Sequence, residues 1–269
     1  MICFPNAKIN LGLRIVGKRP DGYHDIETVF YPVPLKEALE IVPAGQLAFT
    51  QTGIPVDAPA EKNLVMKAYR LLEKRYALPP VAIRLLKAIP SGAGLGGGSA
   101  DAAFMLRLLN DFCSLNLPSD ELEELASALG ADCAFFIRNT PVFASGTGNI
   151  FTRAGISLKG YYLGIVKPDI FVSTAEAYSQ VKPAVPDTSL AEIIGSPPEA
   201  WSGRLVNDFE ASVFARHPAI GGIKEALYEA GAVYASMSGS GSSVFGLFAR
   251  PVELNGRFPG CYIWQGALE

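Results

Sequence analysis

The sequence is short of several features that mark particular protein classes. It has four cysteines and two histidines among 269 residues, and no two cysteines form a C-x-x-C pair. A zinc site is therefore not expected. No run of lysine and arginine occurs and the formal net charge is −3, so nothing indicates a nucleic-acid partner. No apolar run approaches the roughly 18 residues of a membrane span.

The first residues also lack the features of a targeting segment. Pro5, Asn6 and Lys8 interrupt the apolar stretch at the start, and no A-x-A cleavage pattern follows. Together with thiols that are expected to stay reduced, this predicts a cytoplasmic protein. The sequence sets no oligomeric state.

What is present suits a folded α+β protein. The length allows one large or two modest domains, and 49% of the residues are hydrophobic. Alternating and helical patterns of apolar residues predict strands at 7–16, 26–33, 81–86, 161–166, 233–237 and 244–248, and helices at 63–76, 119–129 and 219–230. Gly130 is predicted to end its helix in a left-handed conformation, and 182–198 to be irregular.

A glycine-rich segment at 90–101 is the most informative feature. Five of the seven residues from 92 to 98 are glycine, and apolar residues at helical spacing follow. Glycine is costly to order, and backbone amides before a helix N-terminus commonly hold an anion. The segment therefore predicts a phosphate cradle. The alternative is a glycine-rich turn without a ligand.

Three common phosphate motifs do not account for this segment. Gly92, Gly94 and Gly97 match G-x-G-x-x-G, but the match does not follow the first strand as a dinucleotide fold requires. A Walker A loop needs a lysine after its last glycine, where Gly98 stands. The H-R-D and D-F-G sequences of protein kinases are absent.

A second glycine-rich loop, at 237–243, lies between two predicted strands. Alone it is typical of a flexible hairpin. Considered with the first loop, it predicts a second wall to the same phosphate site.

Two charged residues are candidates for chemistry. Lys8 lies in an apolar strand and Asp132 follows a helix end. Each has a simple structural alternative, a solvent-facing lysine at a strand edge and an aspartate that caps or turns the chain. As a pair they offer a base and a cation near a hydroxyl nucleophile. Tyr23 and His24 lie in a predicted loop, either as surface residues or as a face and edge for a nucleobase.

Three segments in this order resemble the GHMP small-molecule kinase superfamily: 5–11, 90–103 and 237–243. The middle segment is highly specific for it. Segments 19–25 and 129–133 resemble the members that phosphorylate the 2-hydroxyl of 4-diphosphocytidyl-2-C-methyl-D-erythritol with MgATP, in the non-mevalonate isoprenoid pathway. The alternatives are a GHMP kinase of the homoserine or mevalonate type and a non-catalytic nucleotide-binding module.

The resemblance implies a two-domain fold and a set of site residues. Residues 1–152 would form an N-terminal domain like the second domain of ribosomal protein S5, and 153–269 a ferredoxin-like C-terminal domain. Asp132 would be the general base, and Lys8 would orient or polarise the hydroxyl. The implied ATP contacts are Gly92, Gly94, Leu95, Gly96, Gly97, Gly98, Ser99 and Asn63, with Ser99 the candidate for magnesium. The implied substrate contacts are Asn10, Tyr23, His24, Tyr178, Ser238 and Gly239.

Two positions depart from the family pattern. Ala100 stands where a second serine is frequent, which removes one possible hydroxyl contact to phosphate or metal. Cys133 stands where valine is common, which is interpreted as a packing exchange.

Overall fold

The computed structural model describes residues 1–56, 59–185 and 187–269. Within these ranges the strands are β1 Ile2–Cys3, β2 Asn6–Lys18, β3 His24–Lys36, β4 Ala38–Pro43, β5 Ala48–Gly53, β6 Val81–Lys87, β7 Val142–Ser145, β8 Ile150–Arg153, β9 Tyr162–Lys167, β10 Tyr234–Met237, β11 Val244–Phe248 and β12 Tyr262–Ala267. The helices are α1 Leu64–Glu73, α2 Gly97–Phe112, α3 Ser119–Ser127, α4 Phe135–Arg138, α5 Thr174–Tyr178, α6 Leu190–Ile194, α7 Phe209–Arg216 and α8 Pro218–Glu229. Short 3-10 turns occur at Ala60–Lys62 and Pro198–Ala200.

The chain divides into two compact units, each assembled from separate stretches of sequence. The first unit comprises Met1–Ala7, Leu35–Ser91 and Gly96–Thr140. The second comprises Lys8–Pro34, Gly92–Leu95 and Pro141–Glu269. The boundary between 152 and 153 stays a prediction.

The first unit contains a four-stranded sheet in the order β1-β4-β6-β5. β4 is antiparallel to β6, with Ile41 opposite Ile83, whereas β5 runs parallel to β6. Alternate residues of β6 are buried, as period-two side-chain alternation requires when one sheet face is covered. The amphipathic helices α1 and α2 pack against each other, and Leu72 and Leu109 are fully buried in them.

The second unit contains two four-stranded sheets, β2-β3-β7-β8 and β10-β11-β9-β12. In the latter sheet every strand pair is antiparallel, and Val244 lies opposite Val166. Helix α8 packs on β10 and β11. Leu227 of α8 and Met237 of β10 are fully buried in this core.

Most predicted elements are present, with shifted ends. Asn63, the first residue of the predicted helix 63–76, is the N-cap of α1, since its side chain accepts a hydrogen bond from the amide of Val65, and Gly231 follows α8 with φ +97°. The prediction for Gly130 is wrong: α3 ends at Ser127, and the chain continues in right-handed turns, with the Gly130 amide bonded to Ala126 O.

Two further outcomes concern elements that the patterns did not predict. The stretch 182–198 was expected to be irregular, yet it contains α6, whose N-cap Ser189 accepts from the amide of Glu192; Pro186 of this stretch lies outside the described residues. Strands β4 and β5 were not predicted. Among the described residues, no helix is long and apolar enough to cross a membrane.

Candidate active site

The first glycine-rich loop leads directly into α2. Gly92, Gly94 and Gly96 have φ of +61°, +74° and +72°, values that side chains other than glycine rarely adopt. Gly96 is the N-cap of α2 and, having no side chain, offers no hydrogen bond to the first turn. The helix start therefore presents backbone amides at the positive end of the helix dipole.

The glycines of this loop differ in what the fold requires of them. A Cβ on Gly94 would overlap the carbonyl oxygen of Ser238, and one on Gly97 would lie 2.9 Å from a methyl group of Ile89. A Cβ on Gly92 would lie 2.9 Å from the ring of Phe171. Gly98 is exposed in the first turn of α2, and its Cβ would meet nothing closer than Leu64 at 3.7 Å. Packing therefore explains why a side chain is absent at Gly92, Gly94 and Gly97, but it does not explain the glycine at position 98.

Two other predicted ATP contacts, Leu95 and Asn63, have structural roles of their own, and a third, Ser99, lies at the start of α2. Leu95 is buried, and its carbonyl oxygen accepts from the amide of Lys8 at 2.9 Å. Asn63 accepts from Val65 and donates to the side chain of Gln51 at 3.1 Å. Ser99 is half-buried in the first turn of α2. The backbone of Leu95 and the side chain of Asn63 are thus already used within the protein.

Lys8 is buried rather than solvent-facing, so the strand-edge alternative is wrong. The residue is only 3% exposed, and its Nζ donates a hydrogen bond to Asn10 Oδ1 at 2.6 Å. The same ammonium lies 5.0 Å from the ring centroid of Phe30, which adds a cation–π attraction. A buried lysine needs such partners because desolvation penalises its charge.

Asn10 is fixed in turn by residues from another strand and from the second glycine loop. Its Nδ2 donates to Thr28 Oγ1 at 3.0 Å, and Thr28 donates to the carbonyl oxygen of Gly12. The amide of Asn10 donates to Ser238 Oγ at 3.3 Å, and Ser238 donates to Gly94 O at 2.9 Å. The two glycine loops therefore touch, and Ser238 joins both to the strand that carries Lys8.

The second loop has two supports that the sequence patterns did not single out. Asn207 donates from Nδ2 to the carbonyl oxygens of Met237 and Gly239, both at 2.8 Å. Glu210 accepts from the amide of Met237 at 2.8 Å and pairs with Lys224 at 2.6 Å. In the sequence, the segment Asn-Asp-Phe-Glu at 207–210, where polar residues surround an aromatic one, was the available signal for these two supports.

His24 and Tyr178, two of the predicted substrate contacts, lie next to each other in the structure. Their rings stack with centroids 4.8 Å apart and an interplanar angle of 23°. Phe209 supports Tyr178 edge-on at 4.8 Å. Tyr23 is 66% exposed, and its amide donates to Asp21 within the 20–22 turn.

Helix α5, which carries Tyr178, is held by a cap at its N-terminus and by a side-chain contact from Glu176. Ser173 caps it by accepting from the amide of Glu176 at 3.1 Å. The Glu176 carboxylate contacts His217 Nε2 at 2.9 Å, and this contact is the main reason why the pKa of Glu176 is lowered. Ser173 thus supplies one half of a capping box, whereas the Glu176 side chain contacts a histidine instead of the N-cap amide.

Asp132 is half-buried in the turn between α3 and α4. It belongs to the first compact unit, and Lys8 to the second. Their cooperation on one hydroxyl stays a prediction.

Comparison with known proteins decides the family. Residues 63–140 match the family described as GHMP kinases N terminal domain, and residues 198–255 match GHMP kinases C terminal. A relative from Parabacteroides distasonis, named 4-diphosphocytidyl-2-C-methyl-D-erythritol kinase, is 66% identical over 100% of both chains.

The chain belongs to the GHMP kinase family.

Two further comparisons agree with this assignment. A relative of the same printed name from Bacteroides fragilis is 60% identical, over 93% of this chain and 92% of its own. The crystal structure of a 4-(cytidine 5'-diphospho)-2C-methyl-D-erythritol kinase is 31% identical with a TM-score of 0.77, over 92% of this chain and 90% of its own. The predicted GHMP-kinase fold is confirmed, and the chain is a small-molecule kinase that uses ATP.

The two departures from the GHMP kinase pattern have different consequences. Ala100 is fully buried in α2, so a serine there would not add to the exposed first turn. Cys133 is also fully buried, and burial is the main reason why the pKa of its thiol rises to about 11. The hydroxyl of Ser99 is in hydrogen-bond contact with this thiol. Cys133 therefore packs, as predicted, and also contacts a candidate ATP ligand.

Proposed function

We propose that this GHMP kinase transfers the γ-phosphoryl group of ATP to the 2-hydroxyl of 4-diphosphocytidyl-2-C-methyl-D-erythritol, in the cytoplasm and as a step towards isoprenoid precursors. Relatives of 60–66% identity carry that substrate in their names. The observation in this chain that carries the proposal is Gly98, an exposed helical glycine without a packing reason at an uncapped helix start.

The nucleotide part of the proposal rests on the geometry of α2. Glycine in a helix costs about 1 kcal/mol relative to alanine. Glycine is typical of positions where a ligand must approach the backbone closely. A phosphate at the amides of Gly97 to Ser99 would meet both the helix dipole and a surface without side chains.

Magnesium fits this site only as a companion of ATP. Among the described residues, no group of three or more histidine, cysteine, aspartate or glutamate side chains could hold a metal ion. Mg²⁺ in kinases is held largely by phosphate oxygens and water, with few protein ligands. We propose that Ser99 supplies one oxygen. When bound, the ion would neutralise charge on the transferred phosphoryl group.

For the acceptor, we propose that Asp132 takes the proton of the 2-hydroxyl and that Lys8 orients the hydroxyl oxygen. The hydrogen bond of Lys8 to Asn10 supports a fixed position for the ammonium. His24 and Tyr178, with Tyr23 at the surface, would hold the cytosine ring and its polar edge. Asn10, Ser238 and Gly239 would face the rest of the substrate.

A coupled ADP-release assay tests the reaction. Turnover is expected with the cytidylyl substrate and not with mevalonate or homoserine run alongside. Asp132→Asn should lower kcat by about 10²–10⁴, the usual contribution of a general base, with ATP binding retained. Turnover of mevalonate or homoserine alone would favour the rival kinases, and ATP binding without any turnover would favour a binding module.

The substrate pocket is tested separately by changing the base. The uridylyl analogue exchanges an amino donor for a carbonyl acceptor, and a site that hydrogen-bonds one edge rejects the other. The wild type should prefer the cytidylyl substrate, and His24→Ala should reduce that preference. Equal kcat/KM for both substrates would refute the assignment of the pocket while leaving the kinase activity in place.

A further inference from the structure

A buried ion cluster lies beneath the first glycine loop and is not accounted for by the roles above. Lys87 Nζ donates to Glu37 Oε1 at 2.5 Å and to Asp101 Oδ2 at 2.8 Å. The three side chains are 3%, 0% and 3% exposed. Ionisable side chains that are this deeply buried are rare unless they are paired, and removing one member of such a group leaves an uncompensated buried charge.

The position of the cluster along the chain relates it to the loop. Lys87 is the last residue of β6 and stands three residues before Pro90, where the loop begins. Asp101 is the fifth residue of α2, into which the loop leads. A single ammonium therefore joins the strand that enters the loop to the helix that leaves it.

Glu37 adds a direct contact with the loop itself. Its Oε1 would lie only 3.0 Å from a Cβ on Gly97, the first residue of α2. Its Oε2 accepts from the amide of Ala88 at 3.3 Å, next to Lys87. The carboxylate thus rests against both the strand end and the helix start.

The charges of the cluster do not balance if all three groups ionise. Two carboxyl groups share one ammonium, and Asp101 Oδ1 has no hydrogen-bond partner among the described residues. Burial raises the pKa of Glu37 to about 7; the charge of Asp101 adds to this rise and Lys87 opposes it. Burial likewise raises the pKa of Asp101, against the effect of Lys87. The cluster therefore tends to retain one proton.

We propose that Lys87, Glu37 and Asp101 form a buried clamp that fixes both ends of the glycine-rich loop and so sets the affinity for the nucleotide. The three are positioning residues, since each acts through the loop backbone and α2. The inference rests on the proposed function in taking ATP as the ligand of the loop. It predicts an effect on nucleotide binding rather than on the chemical step.

The test compares two cavity-forming substitutions in the same helix. Asp101→Ala removes the link between α2 and Lys87, whereas Leu106→Ala opens a cavity in α2 at a fully buried residue outside the cluster. Asp101→Ala should weaken ATP binding at least about tenfold, because the loss of a single backbone hydrogen bond to a charged phosphate is enough for such a change. Its kcat at saturating ATP should stay within about threefold, and Leu106→Ala should leave ATP affinity unchanged.

A conservative substitution keeps the test decisive if Asp101→Ala folds poorly. Asp101→Asn retains an oxygen that can accept from Lys87 and leaves a balanced pair with Glu37, so it should restore most of the ATP affinity. Hydrogen exchange of the loop amides should accelerate in Asp101→Ala and not in Leu106→Ala. Equal ATP affinity for Asp101→Ala and wild type, or equal losses in both alanine variants, would overturn the clamp.

Calorimetry of the wild type with ATP separates the clamp from the function on which it rests. If the wild type does not bind ATP, the proposed function is wrong, and the clamp proposal, which takes ATP as the ligand of the loop, is wrong with it. If the wild type binds ATP and Asp101→Ala binds it equally well, the clamp alone fails.

Discussion

The two glycine-rich loops look alike in sequence, but the structure uses their backbones differently. In the second loop the amide of Ser238 bonds to Ser243 O at 2.9 Å, and Asn207 occupies the carbonyl oxygens of Met237 and Gly239. In the first loop, Gly96 leaves the start of α2 without a side-chain cap. Both loops therefore use carbonyl oxygens within the protein, whereas the amides at the start of α2, into which the first loop leads, have no side-chain cap.

The comparison also separates glycines that packing requires from a glycine that packing does not explain. Gly94 must lack a side chain because Ser238 of the second loop lies against it. Gly98 faces no such neighbour. A glycine count alone hides this difference, because both residues belong to the same motif.

The largest effect is expected when Gly98 is changed. Gly98→Val adds a side chain on the exposed turn, where the proposed phosphates approach, and should weaken ATP binding by about 10²-fold, because hydrogen bonds to charged phosphate oxygens contribute about 1.5–3 kcal/mol each. The free energy of unfolding should stay the same or rise slightly, because glycine is a poor helix former. Calorimetric titration with ATP and thermal melts measure the two quantities.

Gly222→Val is the matched control for Gly98→Val. Gly222 is also helical, in α8, and a Cβ there would meet nothing within 4 Å. This control should change neither ATP affinity nor stability by much. Unchanged ATP affinity in Gly98→Val would show that the first loop is a turn like the second.

A smaller effect is expected from Ser238, which joins the two loops. Ser238→Ala removes the hydrogen bond to Gly94 O and the acceptor for the amide of Asn10. Leaving such buried groups unpaired costs about 1–3 kcal/mol, so the free energy of unfolding should fall by that amount. Denaturant titration measures it, with Ser240→Ala in the same loop as the control. Equal stability of the two variants would contradict a joining role for Ser238.

The outline of the site could be predicted from sequence because each part has a local signature. The glycine density and the following helical spacing located the loop and α2, and the apolar context marked Lys8 as unusual. Each of these signals depends on neighbours in sequence. The predictions for α1, α2 and α8 are confirmed for the same reason.

The supports of the site could not be found in this way, because their partners are distant in sequence. Glu37 and Lys87 are 50 residues apart, and Asn10 and Ser238 are 228 apart. One signal was available: Val81, Ile83, Leu85 and Lys87 alternate along β6, which places the lysine on the buried side. The prediction of a left-handed conformation at Gly130 was wrong for a local reason, since glycine permits a left-handed turn but does not require one.

The most gradual effect concerns the dependence of stability on pH. Glu37 has a pKa raised to about 7 in the folded protein, chiefly by burial, against an ordinary value of 4.5. The folded state therefore binds the proton more tightly than the unfolded state between these values. This contribution to stability is fully present below about pH 4.5 and is lost as the pH rises through about 7.

Glu37→Gln sharpens this prediction because it keeps the shape of the side chain and removes its titration. Between pH 4.5 and 7 the wild type should lose free energy of unfolding relative to Glu37→Gln, by at most about 1.4 kcal/mol per pH unit. The titratable and charged groups around Glu37 are Lys87 and Asp101, with Cys3 on β1 next to Asp101. Urea unfolding at several pH values measures the difference, with Glu40→Gln as the control because Glu40 forms only a surface ion pair with Arg84. A difference that stays flat or grows in favour of the wild type as the pH rises would show that Glu37 is ionised throughout, and that the proton of the cluster is held elsewhere.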